Sequence, residues 1–129
     1  MKIALLGSAA LAACFLLVPR LAEAHHGWTE FNETAEVTLE GTVTDFHWVN
    51  PHCVVEFDVK DDKGHVQKWQ GEFSNPGVLS RKGWNAASLE AGDRLTITGH
   101  PAKKEGVNAI HVTRIRTTGG QETRFESLQ

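Results

Sequence analysis

The sequence predicts an all-β domain with one short helix, preceded by a segment built for export. Three observations predict it. Beyond residue 36, apolar and polar residues alternate over five stretches, with the two-residue period of half-buried strands. Turn residues separate those stretches: Asn50-Pro51, Asp61-Asp62-Lys63-Gly64, Gly92-Asp93 and Pro101 to Gly106. One stretch breaks the pattern. Ser74-Asn75-Pro76 offers a cap and a first-turn proline, Val78, Leu79 and Lys82 follow, and Gly83 stops the helix.

The first element is residues 1–24. Lys2 supplies a positive charge, Ile3 to Val18 is a nearly continuous apolar run, and Ala22-Glu23-Ala24 is a small-x-small cleavage site. The run is shorter than the roughly 20 residues of a spanning helix. The expectation is a signal peptide removed after Ala24, a periplasmic or secreted protein and no stable membrane anchor. The competing reading is lipid attachment at Cys14, because Leu11-Ala12-Ala13-Cys14 has the form of a lipobox. Against it, Phe15-Leu16-Leu17-Val18 keeps that cysteine inside the apolar run.

Residues 25–36 are polar with scattered aromatics, Trp28 and Phe31, and read as an extended arm. In the first strand Val37, Leu39, Gly41 and Val43 alternate with Thr38, Glu40, Thr42 and Thr44. Its apolar parity changes at Phe46 and Trp48, which predicts a bulge or strong bend. Cys53 to Val59 forms the second strand, His65 to Phe73 the third, Arg94 to Gly99 the fourth and Val107 to Arg116 the fifth. Residues 117–129 form a polar tail or a short hairpin turned at Gly119-Gly120. Three strands, a short helix, then two strands, with a long bent first strand, is the order of a five-stranded Greek-key barrel of the oligonucleotide/oligosaccharide-binding (OB) type, here expected over residues 37–116. The rival is a small open β-sandwich.

Six motifs occur in this order: His25-His26-Gly27, Leu39-Glu40-Gly41-Thr42-Val43, Trp48-Val49-Asn50-Pro51-His52, Ser74-Asn75-Pro76, Leu79-x-Arg81-x-Gly83-Trp84 and Gly92-Asp93. Together they resemble a family of small exported proteobacterial proteins of unknown function. The resemblance covers nearly all of the exported part and implies a compartment and an OB-like fold, but no activity. Cys53 stands where that family often has serine or another small residue, and Gly27 where serine is usual.

Charge narrows the partners. The chain carries 13 Lys and Arg against 16 Asp and Glu, a net −3. Cleavage after Ala24 removes Lys2, Arg20 and Glu23, two positive charges and one negative, so −3 becomes −4. That balance argues against nucleic acid, whose binders carry a basic footprint. Cys53 is the only cysteine left after cleavage, so no internal disulfide forms.

All seven histidines survive cleavage. His25 becomes the amino terminus and can chelate a metal through its amine and ring Nδ1. His26 can use the terminal amine, its own backbone nitrogen and its ring instead. Such nitrogen donors suit copper(II), which tops the affinity order of common divalent ions. His52, in the break after the first strand, and His100, at the end of the fourth, are the candidate further ligands, because these loops flank the binding face of an OB barrel. The competing reading is an exposed, soluble His-His start. Strand alternation sends Cys53 to the face opposite His52, hence into the core. His47, His65 and His111 read as surface or internally satisfied histidines.

Trp48 and Trp69 are a candidate ligand-stacking surface for a sugar or another ring, with barrel packing as the competing reading. Trp84 is expected to plug one barrel end, and Phe46, Phe57 and Phe73 to fill the core. Glu56, Asp58 and Glu72 read as a solvated face. No nucleophile–histidine–acid motif, phosphate-cradling glycine loop or paired zinc-type cysteines occur. The expected function is therefore a non-catalytic periplasmic binding module for a small ligand, a metal ion or a periplasmic protein, with no nucleic acid and no certain cofactor. The alternative is a copper-binding, metal-handling protein.

Overall fold

The computed structural model describes residues 30–125; residues 1–24, read above as an expected signal peptide, and His25, His26 and Trp28 lie outside them. Strands β1 (Val37–His47), β2 (Val54–Lys60) and β3 (Val66–Glu72) precede helix α1 (Pro76–Arg81). Strands β4 (Arg94–Pro101), β5 (Ala109–Thr117) and β6 (Thr123–Arg124) follow it. β1 pairs antiparallel with both β2 and β4, β2 with β3, and β4 with β5. The ring closes where β3 runs parallel to β5, over Gln70↔Ala109, Gly71↔Ile110 and Glu72↔His111. This five-stranded closed barrel with a helix between β3 and β4 is the OB architecture expected from the order of elements; the open sandwich is excluded by the β3–β5 closure.

β1 serves two neighbours, so it must curve. Val37 to Thr42 pairs with β4, and from Thr42 onward the strand pairs with β2, with the expected bulge between Val43 and Asp45. Gly41 stands at that switch. A Cβ there would lie 2.6 Å from the Asp58 carbonyl oxygen, so only glycine allows the approach.

The core is the inward set of each strand: Val43, Val55, Phe57, Ile97, Ile110, Val112 and Ile115 are all almost wholly buried. Cys53 is also fully buried, the small hydrophobe that alternation required. One barrel end is closed by aromatics. Phe73 stacks against Phe46, Trp84 and Phe125 at centroid distances of 6.1, 5.8 and 5.1 Å. Trp84 donates Nε1–H to Thr123 Oγ1 at 3.4 Å, tying the plug to β6. Helix α1 delivers Trp84 to this place. Asn75 caps it through Oδ1, which accepts from Val78 N at 3.0 Å, Pro76 opens it, and Gly83 leaves it at φ +84°.

Strand ends differ by small amounts from the sequence reading. β4 runs on to Pro101 and β5 begins at Ala109 rather than Val107. The ladder there continues as Ala102 N to Ala109 O at 3.0 Å, which leaves residues 103–108 to make the turn.

A histidine-bearing outer wall

The β3–β5 seam determines what the outer wall carries. Gly71 and Ile110 face the core at the seam: a Cβ on Gly71 would meet Ile97, Val55 and Val112 side chains, and Ile110 is fully buried. Their neighbours Glu72 and His111 therefore face outward. His100 is the register partner of His111 on the other side, across the β4–β5 hairpin. The rings of His100 and His111 lie 6.4 Å apart. His52 joins this wall by parity. Cys53 is in the core, so His52 and Val54 face out, and Val54 is the register partner of Glu72. The charge of His52 is felt at His111.

Two of these rings are oriented by the backbone. His100 Nδ1 lies 2.8 Å from the Ala35 carbonyl oxygen, so it carries the proton and leaves Nε2 with its lone pair. His52 is held by a hydrogen bond to the backbone of Phe73. The arm covers the wall. Phe31 is buried, bridges to Ala102 and stacks on His111 at 5.6 Å. Asn32 N donates to Pro101 O at 2.8 Å and Lys103 N to Glu30 O at 2.8 Å, which fixes the arm beside the end of β4.

Burial acts on the charges of this wall. It lowers the pKa of His52 below the ordinary histidine value, with the Phe73 backbone bond opposing. It lowers that of His111 too, helped by the positive charges of His100 and His52 and opposed by Glu33. Burial raises the pKa of Glu72. Burial thus favours the neutral form of His52 and of His111. A histidine with a depressed folded pKa binds fewer protons folded than unfolded, so its stability contribution is lost as pH falls below about 6.5. Glu72 acts in the opposite sense, losing its contribution as pH rises through its raised pKa. Comparing the parent with His111→Gln cancels the Glu72 effect. Urea unfolding at pH 7.5, 6.5 and 5.5 without metal is expected to show a flatter profile for His111→Gln, by up to about 1.4 kcal/mol per pH unit. Identical slopes would contradict the burial of His111.

Sequence reading treated His111 as an ordinary strand histidine. The signal for its role was the hairpin register: once the turn is known to occupy residues 103–108, positions 100 and 111 face each other. Glu72, read as part of a solvated face, is instead partly buried, and its Oε2 has no hydrogen-bond partner among the described residues. The physical reason is the seam, which pairs β5 with β3 at Glu72 and so gives this position a strand neighbour on both sides. His47 and His65 are engaged elsewhere, with Glu56 at 3.2 Å and Asp61 at 3.2 Å. Among the described residues, no group of three or more His, Cys, Asp or Glu is arranged to hold a metal ion.

Trp48 and Trp69 occupy different places. Trp48 packs edge-on to Phe46 at 6.0 Å, beside the aromatic plug. Trp69 pairs in register with Phe57 and lines a cleft of about 370 Å³ with Glu56, Lys68, Gln70 and Asn108. Its Nε1 is buried without a partner among the described residues.

Fold and wall together define a small OB barrel with histidines gathered outside its closing seam. Among solved structures, the chain is similar to the ZRD-deleted mutant of TiaS in complex with agmatine, with a TM-score of 0.54, 16% identity, and coverage of 73% of this chain and 27% of that one. It therefore spans about a quarter of the length of that chain. It is also similar to the small single-stranded DNA-binding protein from Streptomyces coelicolor, with a TM-score of 0.50, 18% identity, and coverage of 68% of this chain and 94% of that one. At these identities the likeness shows the fold. No curated protein matches the chain. DUF6152, a family of unknown function, matches residues 14–111, and the chain belongs to that family.

Proposed function

We propose that this chain is an exported, non-catalytic binding module that holds a transition-metal ion, copper(II) first among them. Its ligands are the wall histidines His52, His100 and His111 together with the arm histidines His25 and His26. The observation that carries this reading is the His100 Nδ1 bond to the Ala35 carbonyl at 2.8 Å. Metal-binding histidines characteristically donate their other ring N–H to a backbone carbonyl or carboxylate, which fixes the tautomer and aims the free nitrogen. The described wall does not complete a site alone. Binding therefore requires side-chain rotation on the wall and ligands from the arm.

The arm has the reach. His25 lies six residues before Phe31, which stacks on His111. Six residues span up to about 20 Å when extended. Cleavage after Ala24 frees the His25 amine as a further nitrogen ligand. In this reading the module sequesters or passes the ion.

The test is a copper(II) titration of the chain starting at His25, beside a version with one extra residue before it. The native start is expected to bind one ion, about 100-fold or more tightly than the extended form, the scale of losing one well-placed ligand. Equal, weak binding by both would sink the reading. A second reading has its own observation. The Trp69 cleft combines an indole face with polar side chains and suits a sugar ring, which quenching of tryptophan emission lost in Trp69→Phe would report. A thymidine oligonucleotide belongs in the same series. The acidic balance predicts no retention of it at physiological salt.

A further inference from the structure

We propose that Asn32 is an acceptor for an N-linked oligosaccharide, carried on its side-chain amide nitrogen. This rests on the export part of the reading above and stands apart from the metal.

An asparagine followed two residues later by serine or threonine, with no proline between, is the acceptor pattern for N-linked glycan transfer in exported chains. The chain has five asparagines, at positions 32, 50, 75, 85 and 108. Only Asn32-Glu33-Thr34 fits the pattern. Proline follows Asn50 and Asn75, while Asn85 and Asn108 have Ala87 and Ile110 two residues on.

The fold puts this one match at the surface. Asn32 sits in the arm directly after the buried Phe31, and its N–H donates to Pro101 O at 2.8 Å. Ala35 N donates to Asn32 O at 3.0 Å and closes a turn in which Glu33 and Thr34 are exposed. The backbone is therefore anchored while the turn faces solvent, where a bulky hydrophilic chain can be carried without disturbing the barrel core.

The side chains are arranged for the chemistry. Thr34 donates its N–H at 3.2 Å and its hydroxyl at 2.7 Å to Asn32 Oδ1. Asn32 Nδ2 makes no hydrogen bond among the described residues. An amide nitrogen is a weak nucleophile, because its lone pair is delocalised into the carbonyl. Hydrogen bonds to Oδ1 draw electron density onto oxygen and make a proton on Nδ2 easier to lose. The hydroxyl that the pattern requires thus already engages the amide oxygen, and the reacting nitrogen is left free.

The co-reactant is a lipid-diphosphate-linked oligosaccharide, used by a membrane oligosaccharyltransferase. Nδ2 attacks the anomeric carbon of the first sugar. The new bond is carbon to nitrogen; the bond that breaks is carbon to diphosphate oxygen. The lipid diphosphate leaves with the electron pair, and Nδ2 gives one proton to a base of the transferase. No oxidant or reductant takes part.

The experiment uses the full chain in an exporting bacterial host, with and without an asparagine-directed oligosaccharyltransferase and its lipid-linked donor. Intact mass and peptide mapping read the product, and the same spectra read the amino terminus. One oligosaccharide is expected, on the peptide holding Asn32, and only with the transferase. Asn32→Gln and Thr34→Ala should lose it; Thr34→Ser, which keeps the hydroxyl, should retain it. Loss in Thr34→Ala with retention in Thr34→Ser assigns the hydroxyl its part whatever either change does to stability. A chain cleaved after Ala24 whose Asn32 peptide carries no sugar overturns this inference and leaves export standing. A glycan that persists in Asn32→Gln overturns it as well. A chain that is never exported overturns both.

Discussion

Phe73→Ala is expected to destabilise the barrel by about 3–5 kcal/mol, the range for removing a fully buried aromatic. Phe73 has no solvent exposure and touches three other rings from three different parts of the chain. Phe46 comes from β1, Trp84 from the turn after α1 and Phe125 from beyond β6. No single neighbour can collapse into the space without leaving the other two, so the cavity persists. Domains of this size hold only about 5–15 kcal/mol in total. A loss near 4 kcal/mol lowers the melting temperature by about 15 °C or more. Val49→Ala, at a residue 51% exposed, is the control and should stay within about 0.5 kcal/mol. A Phe73→Ala shift under 5 °C would mean that the aromatic plug does not hold this end closed.

Gly99→Ala is the second large effect. A Cβ at Gly99 would stand 1.9 Å from the His111 carbonyl oxygen and 2.8 Å from its carbonyl carbon. Neither atom is the tip of a flexible side chain, so β4 and β5 must separate locally. Overpacking of this kind costs about 3 kcal/mol, the upper end of its usual range. The site sits beside the β4 bulge between Thr98 and Gly99, one residue before His100. The displaced backbone is that of His111 itself. Chemical denaturation should report the stability loss. Copper(II) titration should report weaker binding even where the variant is fully folded. A variant with parent-like stability would show that the bulge absorbs the methyl group.

Much of the fold was legible before any coordinates. Alternation from Val37 to Val43 and from Cys53 to Val59 named the inward residues, because a strand's period of two leaves no freedom once one face is buried. Asn75-Pro76 and Gly83 marked the helix through local chemistry alone. The placement of Cys53 followed from the same alternation. His52 and His100 were legible as candidates because one stands in the break after the first strand and the other at the end of the fourth, where loops flank the binding face of an OB barrel.

What composition and local pattern determined here is therefore the all-β class, the order of elements, the negative charge and the histidine supply. Those depend on residue type and short-range periodicity. Tertiary structure alone decided the wall. The parallel β3–β5 seam sets Glu72 beside His111, and the hairpin register sets His111 opposite His100, although Glu72 and His111 lie far apart in the chain. It also separated Trp48 from Trp69, sending one to the aromatic plug and the other to a cleft. Register between distant strands is fixed by core packing and turn length summed over the whole barrel, and no local stretch of sequence carries that sum.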